Sequence, residues 1–230
     1  MSAISLERNR YFFGKMMDVA QFEKEQTYFR NQLALLNRLV IGTGVVCGLD
    51  VAADAAVKGN VTVSAGVAID GAGRFVILAA PLSINPAQLT DSQGKPQGSP
   101  TTSGANLISL CYAESCADPV ATFSLDCDTP GACAASTTVE GCQIIVQTAP
   151  AAAAAPLACP IKGFAKMTAA ELQKDLAQLV SGVCSDPSTA CVPLARVEIP
   201  SGSIDSVSDR PLVYGNNLLM QMALCLKAAI

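Results

Sequence analysis

Cysteine is the residue type in this sequence best equipped for chemistry, and histidine is missing altogether: ten cysteines occur and no histidine. A thiolate can ligate a metal, attack an electrophile or oxidise to a disulfide, and spacing and surroundings decide which. Cys47 and Cys225 lie in apolar runs and read as small buried hydrophobes. The others, Cys111, Cys116, Cys127, Cys133, Cys142, Cys159, Cys184 and Cys191, fall among Pro, Gly, Ser and Thr in the second half. None of them forms a C-x-x-C pair, and without imidazole a mixed zinc site cannot be completed, so no metal is expected. Disulfide staples fit this pattern best. Pairings such as Cys184 with Cys191 or Cys111 with Cys116 are compatible with the spacing, and the connectivity stays open.

The missing imidazole also excludes Ser/His, Cys/His and His-metal mechanisms, since it removes the side chain that titrates nearest neutrality. A lone nucleophilic cysteine would need a helix N-terminus or a lysine to lower its pKa, and none sits in such a frame. The carboxylates are scattered and the lysines stand in polar surroundings. No catalytic residue and no cofactor is therefore assigned, and the chain reads as a non-enzyme. Gly71-Ala72-Gly73-Arg74 has the glycines of a phosphate loop, but no helix follows to aim amides at an anion, so it reads as a hairpin turn. Arg8-Asn9-Arg10-Tyr11-Phe12-Phe13-Gly14-Lys15 mixes bases with aromatics. With a net charge of -4 and no second basic patch, nucleic acid is not an expected partner. This segment reads instead as an N-terminal arm whose Tyr11, Phe12 and Phe13 pack on a neighbour.

The elements that would position these groups begin with a helix over residues 18–41. Val19, Phe22, Gln26, Phe29, Leu33, Leu36 and Val40 recur at alternating intervals of three and four, the signature of a heptad seam. Asp18 with Gln21 makes a capping-box pattern, and Gly42 supplies the stop. The stripe is narrow, and the polar Gln26 within it is the kind of residue that sets register in coiled coils, so the seam is expected to join copies of the chain. A second face, with Tyr28, Leu35, Leu39 and Ile41, leaves open the alternative that the helix packs on its own sheet.

After residue 44 the period switches to two, and residues 45–51, 61–65, 67–69 and 75–78 read as strands separated by Gly and Asn/Asp turns. Pro81 and Pro86 close this block, read as an antiparallel barrel or sandwich, and residues 86–105 read as a surface loop. Strands return at 107–112 and 143–147 around a cysteine-studded loop. Thr168 and Glu171 open a docked helix whose face carries Leu172, Leu176, Leu179, Val180 and Val183; residues 192–199 alternate as a strand. A last helix, apolar nearly all round, runs from about residue 216 to 227 and must be buried. The fold class expected is thus α+β: a coiled-coil-like N-terminal helix, an antiparallel β body and a buried C-terminal helix. Residues 1–44 form an arm and oligomerisation helix, and residues 45–230 the β-rich body. With 50% apolar residues the chain can fill a core, and its longest apolar stretches fall short of the roughly 20 residues of a membrane span. No membrane insertion is expected. The first residues lack a basic start followed by an apolar run, so no secretory signal is read and assembly in the cytoplasm is expected.

Asn9-Arg10-Tyr11-Phe12-Phe13-Gly14-Lys15, the helix with its Phe22-Glu23-Lys24-Glu25-Gln26 stretch, and Gly44-Val45-Val46-Cys47-Gly48-Leu49 resemble the opening of a family encoded in phage-tail-like contractile injection system clusters. The similarity continues through Val61-Thr62-Val63-Ser64-Ala65-Gly66-Val67-Ala68-Ile69-Asp70 with Gly73-Arg74, and returns at 184–197 and 209–226. The sheet motif is also similar to proteins that attach tail fibres to phage baseplates. The resemblance implies a structural, non-enzymatic subunit of a particle that can lie outside the cell, trimeric in the fibre-connecting relatives, with other tail, baseplate or fibre proteins as partners. Thr43 stands where relatives commonly carry tryptophan, and the Ala/Ser/Thr-rich middle departs from them. The other reading of the same residues is a secreted or particle-displayed binding module, stapled by disulfides, that recognises a ligand or a cell surface.

Overall fold

A computed structural model of the 230-residue chain describes residues 7–121, 133–151, 168–180, 191–215 and 219. Helix α1 spans Val19–Leu36. Asp18 caps it, its carboxylate accepting from the Gln21 N–H at 3.0 Å. The reciprocal half of the capping box is not made, because the buried Gln21 side-chain oxygen has no partner. The last turn widens into a π turn over Asn37–Ile41, where the Gly42 N–H reaches back to the Asn37 carbonyl at 2.8 Å. Gly42 ends it at φ +100°, a conformation natural only to glycine.

Six short strands follow: β1 (Gly44–Gly48), β2 (Val51–Ala53), β3 (Val61–Val63), β4 (Gly66–Ile69), β5 (Phe75–Leu78) and β6 (Leu82–Ile84). They form two antiparallel sheets, in the orders β1-β4-β5 and β2-β3-β6, so three long strands are each bent once and contribute to both. The bend is written in glycine. A Cβ on Gly48 would lie 2.1 Å from the Ala65 carbonyl oxygen, and one on Gly66 would lie 2.4 Å from that of Cys47. Only bare backbone allows β1 and β4 to approach this closely. Leu49, fully buried, takes φ +60° to complete the corner, and Arg210 seals it by donating to the Leu49 and Gly48 carbonyls at 3.0 and 2.6 Å. The corner divides the strand expected over 45–51. A register shift between Val45 and Cys47 leaves Val46 and Cys47 both exposed, so Cys47 is not a buried hydrophobe. β6, between Pro81 and Pro86, was not expected. The turn at 71–74 is the hairpin connection of β4 to β5, and the fully buried Asp70 carboxylate accepts there from the Arg74 backbone and guanidinium at 2.9 and 2.8 Å.

The third sheet has the order β10-β9-β7-β8, from β7 (Gly104–Ala121), β8 (Cys133–Thr148), β9 (Cys191–Ile199) and β10 (Ile204–Asp205). Its base completes the core: Ile108, Leu110, Leu194 and Val197 are fully buried with Leu49 and Val63 of the bent sheets. Pro193 sits opposite Ser109 where the β7–β9 register shifts, a bulge that spares the ladder the N–H proline lacks. β7 pairs with β9 as far as Cys111, whose disulfide to the directly opposite Cys191 closes an 80-residue separation. Beyond it, β7 and β8 continue alone as a two-stranded ribbon, exposed over most of its length. Residues 113–121 and 133–142 are therefore strand and not the irregular cysteine loop expected from their composition. The surface loop expected over 86–105 ends at 103, where β7 begins, and its half-buried first part is lashed to the edge of β8: Thr90 N–H bonds the Val146 carbonyl at 2.9 Å and Thr90 Oγ1 accepts from Val146 N–H at 2.8 Å. This covers the proximal edge of the sheet.

Helix α2 (Ala169–Val180) opens with a full capping box, Thr168 N–H to the Glu171 carboxylate at 2.8 Å and Glu171 N–H to the Thr168 hydroxyl at 3.4 Å. Donation from the Thr168 N–H, and from its hydroxyl at 2.8 Å, holds the Glu171 carboxyl below its usual range. The architecture is mixed helix and sheet, mostly antiparallel, and the three sheets do not close into a barrel. The apolar face of α2, residues 152–156 of the alanine run, the expected C-terminal helix save Leu219, and Cys127, Cys159, Cys184 and Cys225 lie outside the described residues or side chains.

Candidate oligomer interface

No residue of α1 is buried. Its body-facing side is held at its C-terminal end, where Asn37, 1% exposed, donates to the Gly73 carbonyl at 2.8 Å and Ala34 lies so close that a Cβ on Gly73 would sit 2.1 Å from its carbonyl oxygen. Tyr28 and Leu35 are half-buried, whereas Leu39 and Ile41 of the same expected face are exposed. The seam points away. Val19 is 72% exposed, Phe22 54%, Phe29 62%, Leu33 50%, Leu36 49% and Val40 74%, with the polar Gln26 exposed among them. Among the described residues the stripe is left mostly uncovered, with only Gln26 and Leu33 bordering the space between α1 and the ribbon, and contiguous apolar surface of this kind marks an interaction site in a folded domain.

The arm before the helix adds to the same surface. Tyr11 donates its hydroxyl to the Glu25 carboxylate, which raises the phenol pKa, and Lys24 pairs with Glu7 at 3.0 Å. These two contacts lay the arm back along α1 while Phe12, Phe13 and Met16 stay exposed. Among the described residues nothing covers Phe13, at 106%. Met16 was not singled out in the sequence.

A cleft that the sequence also did not reveal opens between α1 and the ribbon, about 360 Å³ in volume, with Leu33, Ala34, Phe75, Tyr112, Glu114 and Glu140 in its wall. Glu114 and Glu140 are directly opposite one another across β7 and β8. Arg74, paired with Asp70 at 2.7 Å, lies over the Tyr112 ring at 4.2 Å. Desolvation first, then hydrogen bonding to Glu114 and Glu140, drives the Tyr112 pKa far above its usual value, and the phenol donates to the Glu114 carboxylate at 2.8 Å.

Of the cysteines read as staples, Cys111 and Cys191 bond each other, which rules out both Cys111 with Cys116 and Cys184 with Cys191. Cys116 and Cys133 are exposed free thiols, and burial raises the thiol pKa of the free Cys142. Among the described residues no three His, Cys, Asp or Glu side chains gather as metal ligands, and no helix is long and apolar enough to cross a membrane. No family model matches this chain, and no curated protein does. The uncovered stripe is thus the feature of the described surface with the clearest physical demand for a partner.

Proposed function

We propose that this chain is a non-enzymatic structural subunit that assembles with copies of itself through the α1 seam, acting as an adaptor or fibre-associated component of a phage-tail-like contractile injection particle. One observation carries the association: six large apolar side chains at heptad spacing stand 49–74% exposed, with most of that surface uncovered by the described residues. A helix packed only on its own sheet would put its stripe against that sheet, and here Ala34 and Asn37 make that contact instead. The particle assignment and the trimer rest on the resemblance of the N-terminal and sheet motifs. A narrower second reading, a stapled display module, draws on the disulfide at the foot of the exposed ribbon.

The mass in solution tests the first reading. Sedimentation at micromolar concentration is expected to give a multiple of 23.6 kDa, three chains if the resemblance carries the stoichiometry. A single-chain mass at every concentration reached would contradict it.

A further inference from the structure

Around α1, at about 100° per residue, the two flanks of the seam carry different things. Glu25, which holds the arm through Tyr11, lies on one flank. Glu23, Thr27 and Arg30 lie on the other, where they line a second compartment of the cleft with Gln26, Glu114 and Glu140. Tyr11 of the arm and the cleft therefore sit at the same height along the helix, on opposite sides of the seam, while Lys24 at the back of the helix holds Glu7. When identical helices meet side by side under rotational symmetry, the first flank of one copy faces the second flank of the next.

Charge and shape match across that junction. The cleft sets three carboxylates, Glu23, Glu114 and Glu140, against two guanidiniums, and that of Arg74 is already committed to Asp70. The arm offers Arg8 and Arg10, both exposed and without an ion pair among the described residues, next to the exposed rings of Phe12 and Phe13. The cleft has apolar wall to receive a ring, in half-exposed Leu33 and Phe75.

We infer that the basic, aromatic arm of one copy seats in the acidic cleft between α1 and the ribbon of the next copy. This rests on the seam-joined assembly proposed above and adds to it a head-to-tail contact that closes the ring. The arm then acts as a clasp: the seam supplies apolar area, and the arm fixes which neighbour sits on which side, a role suited to charges at an interface rim.

Charge reversal with rescue tests this clasp. Glu114→Lys with Glu140→Lys, and separately Arg8→Glu with Arg10→Glu, change only exposed side chains, so folding should persist and circular dichroism checks it. Each pair is expected to raise the dissociation constant of the assembly at least tenfold at low salt, and the gap should narrow as salt is added. The chain carrying all four substitutions is expected to return to within about threefold of the parent. Parent-like affinity in either reversed pair, or no recovery in the quadruple variant, overturns the clasp. If the seam substitutions Phe29→Glu and Leu36→Glu, neither in the cleft wall, still dissociate the assembly in that case, the clasp alone has failed; a parent chain that never associates removes both.

Discussion

Replacing Phe29 and Leu33 together by glutamate is expected to convert the assembly to single chains while leaving the body folded. Both side chains are at least half exposed in the isolated chain, so their loss costs its own core little. In the assembly each would be taken out of water, at about 1.5–3 kcal/mol for full burial of such a side chain. With half of each already covered, the two forfeit roughly 2 kcal/mol per chain. Desolvating two carboxylates in their place adds at least a few kcal/mol, because no base of the seam is positioned to pair with them. A combined loss of about 4 kcal/mol per chain weakens association roughly a thousandfold. Sedimentation should then show 23.6 kDa where the parent shows a multiple, and the thermal transition of the diluted variant should match that of the diluted parent. An unchanged oligomer mass would mean that these residues do not meet another chain.

The second large effect lies in the bend of the sheets. Gly66→Ala puts a methyl group 2.4 Å from the Cys47 carbonyl oxygen and 2.5 Å from the Leu49 nitrogen. Both neighbours are backbone, held by the β1–β4 ladder and by Arg210, so relief requires β1 to move off β4. Overpacking against a rigid neighbour costs about 1–3 kcal/mol, and here the upper end applies. At roughly 2–4 °C per kcal/mol for a chain of this size, the melting temperature should fall by about 10 °C. Gly59→Ala is the matched control. Unlike the strand residue Gly66 it sits in a turn, at φ +89°, but no atom lies within 4 Å of its Cβ, so it incurs only the backbone cost of about 1–2 kcal/mol. A smaller fall for Gly66→Ala than for Gly59→Ala would remove the close approach of the strands as the reason for glycine.

Where a structural feature depended on neighbours in sequence, it could be read. Asp18 and Gly42 bound the helix because a cap and a left-handed stop act within a few residues, and Thr168 with Glu171 does the same for α2. The exposed stripe is legible for the same reason, since the seven-residue spacing alone puts Val19 through Val40 on one side. Features that depend on register between distant strands were not readable. Gly48 and Gly66 each look like an ordinary turn or strand glycine until they face one another. Residues 113–121 and 133–142 carry Asp, Pro and Gly that argue for a loop, yet the two segments pair through much of their length and so become strand. That misreading hid the cleft, because Glu114 and Glu140 become neighbours only across β7 and β8. The partner of Cys111 was hidden likewise: it lies 80 residues away and is chosen by the β7–β9 register.

The proposed seam can be tested by a cross-linker placed within it. A photoreactive benzoylphenylalanine in place of Phe29, irradiated in the native assembly, should link chain to chain, and digestion should place the adduct on residues 22–36 of the other copy. Adducts confined to the chain's own sheets, or none between chains in an oligomer of confirmed mass, would show that the stripe on α1 is not where the subunits meet.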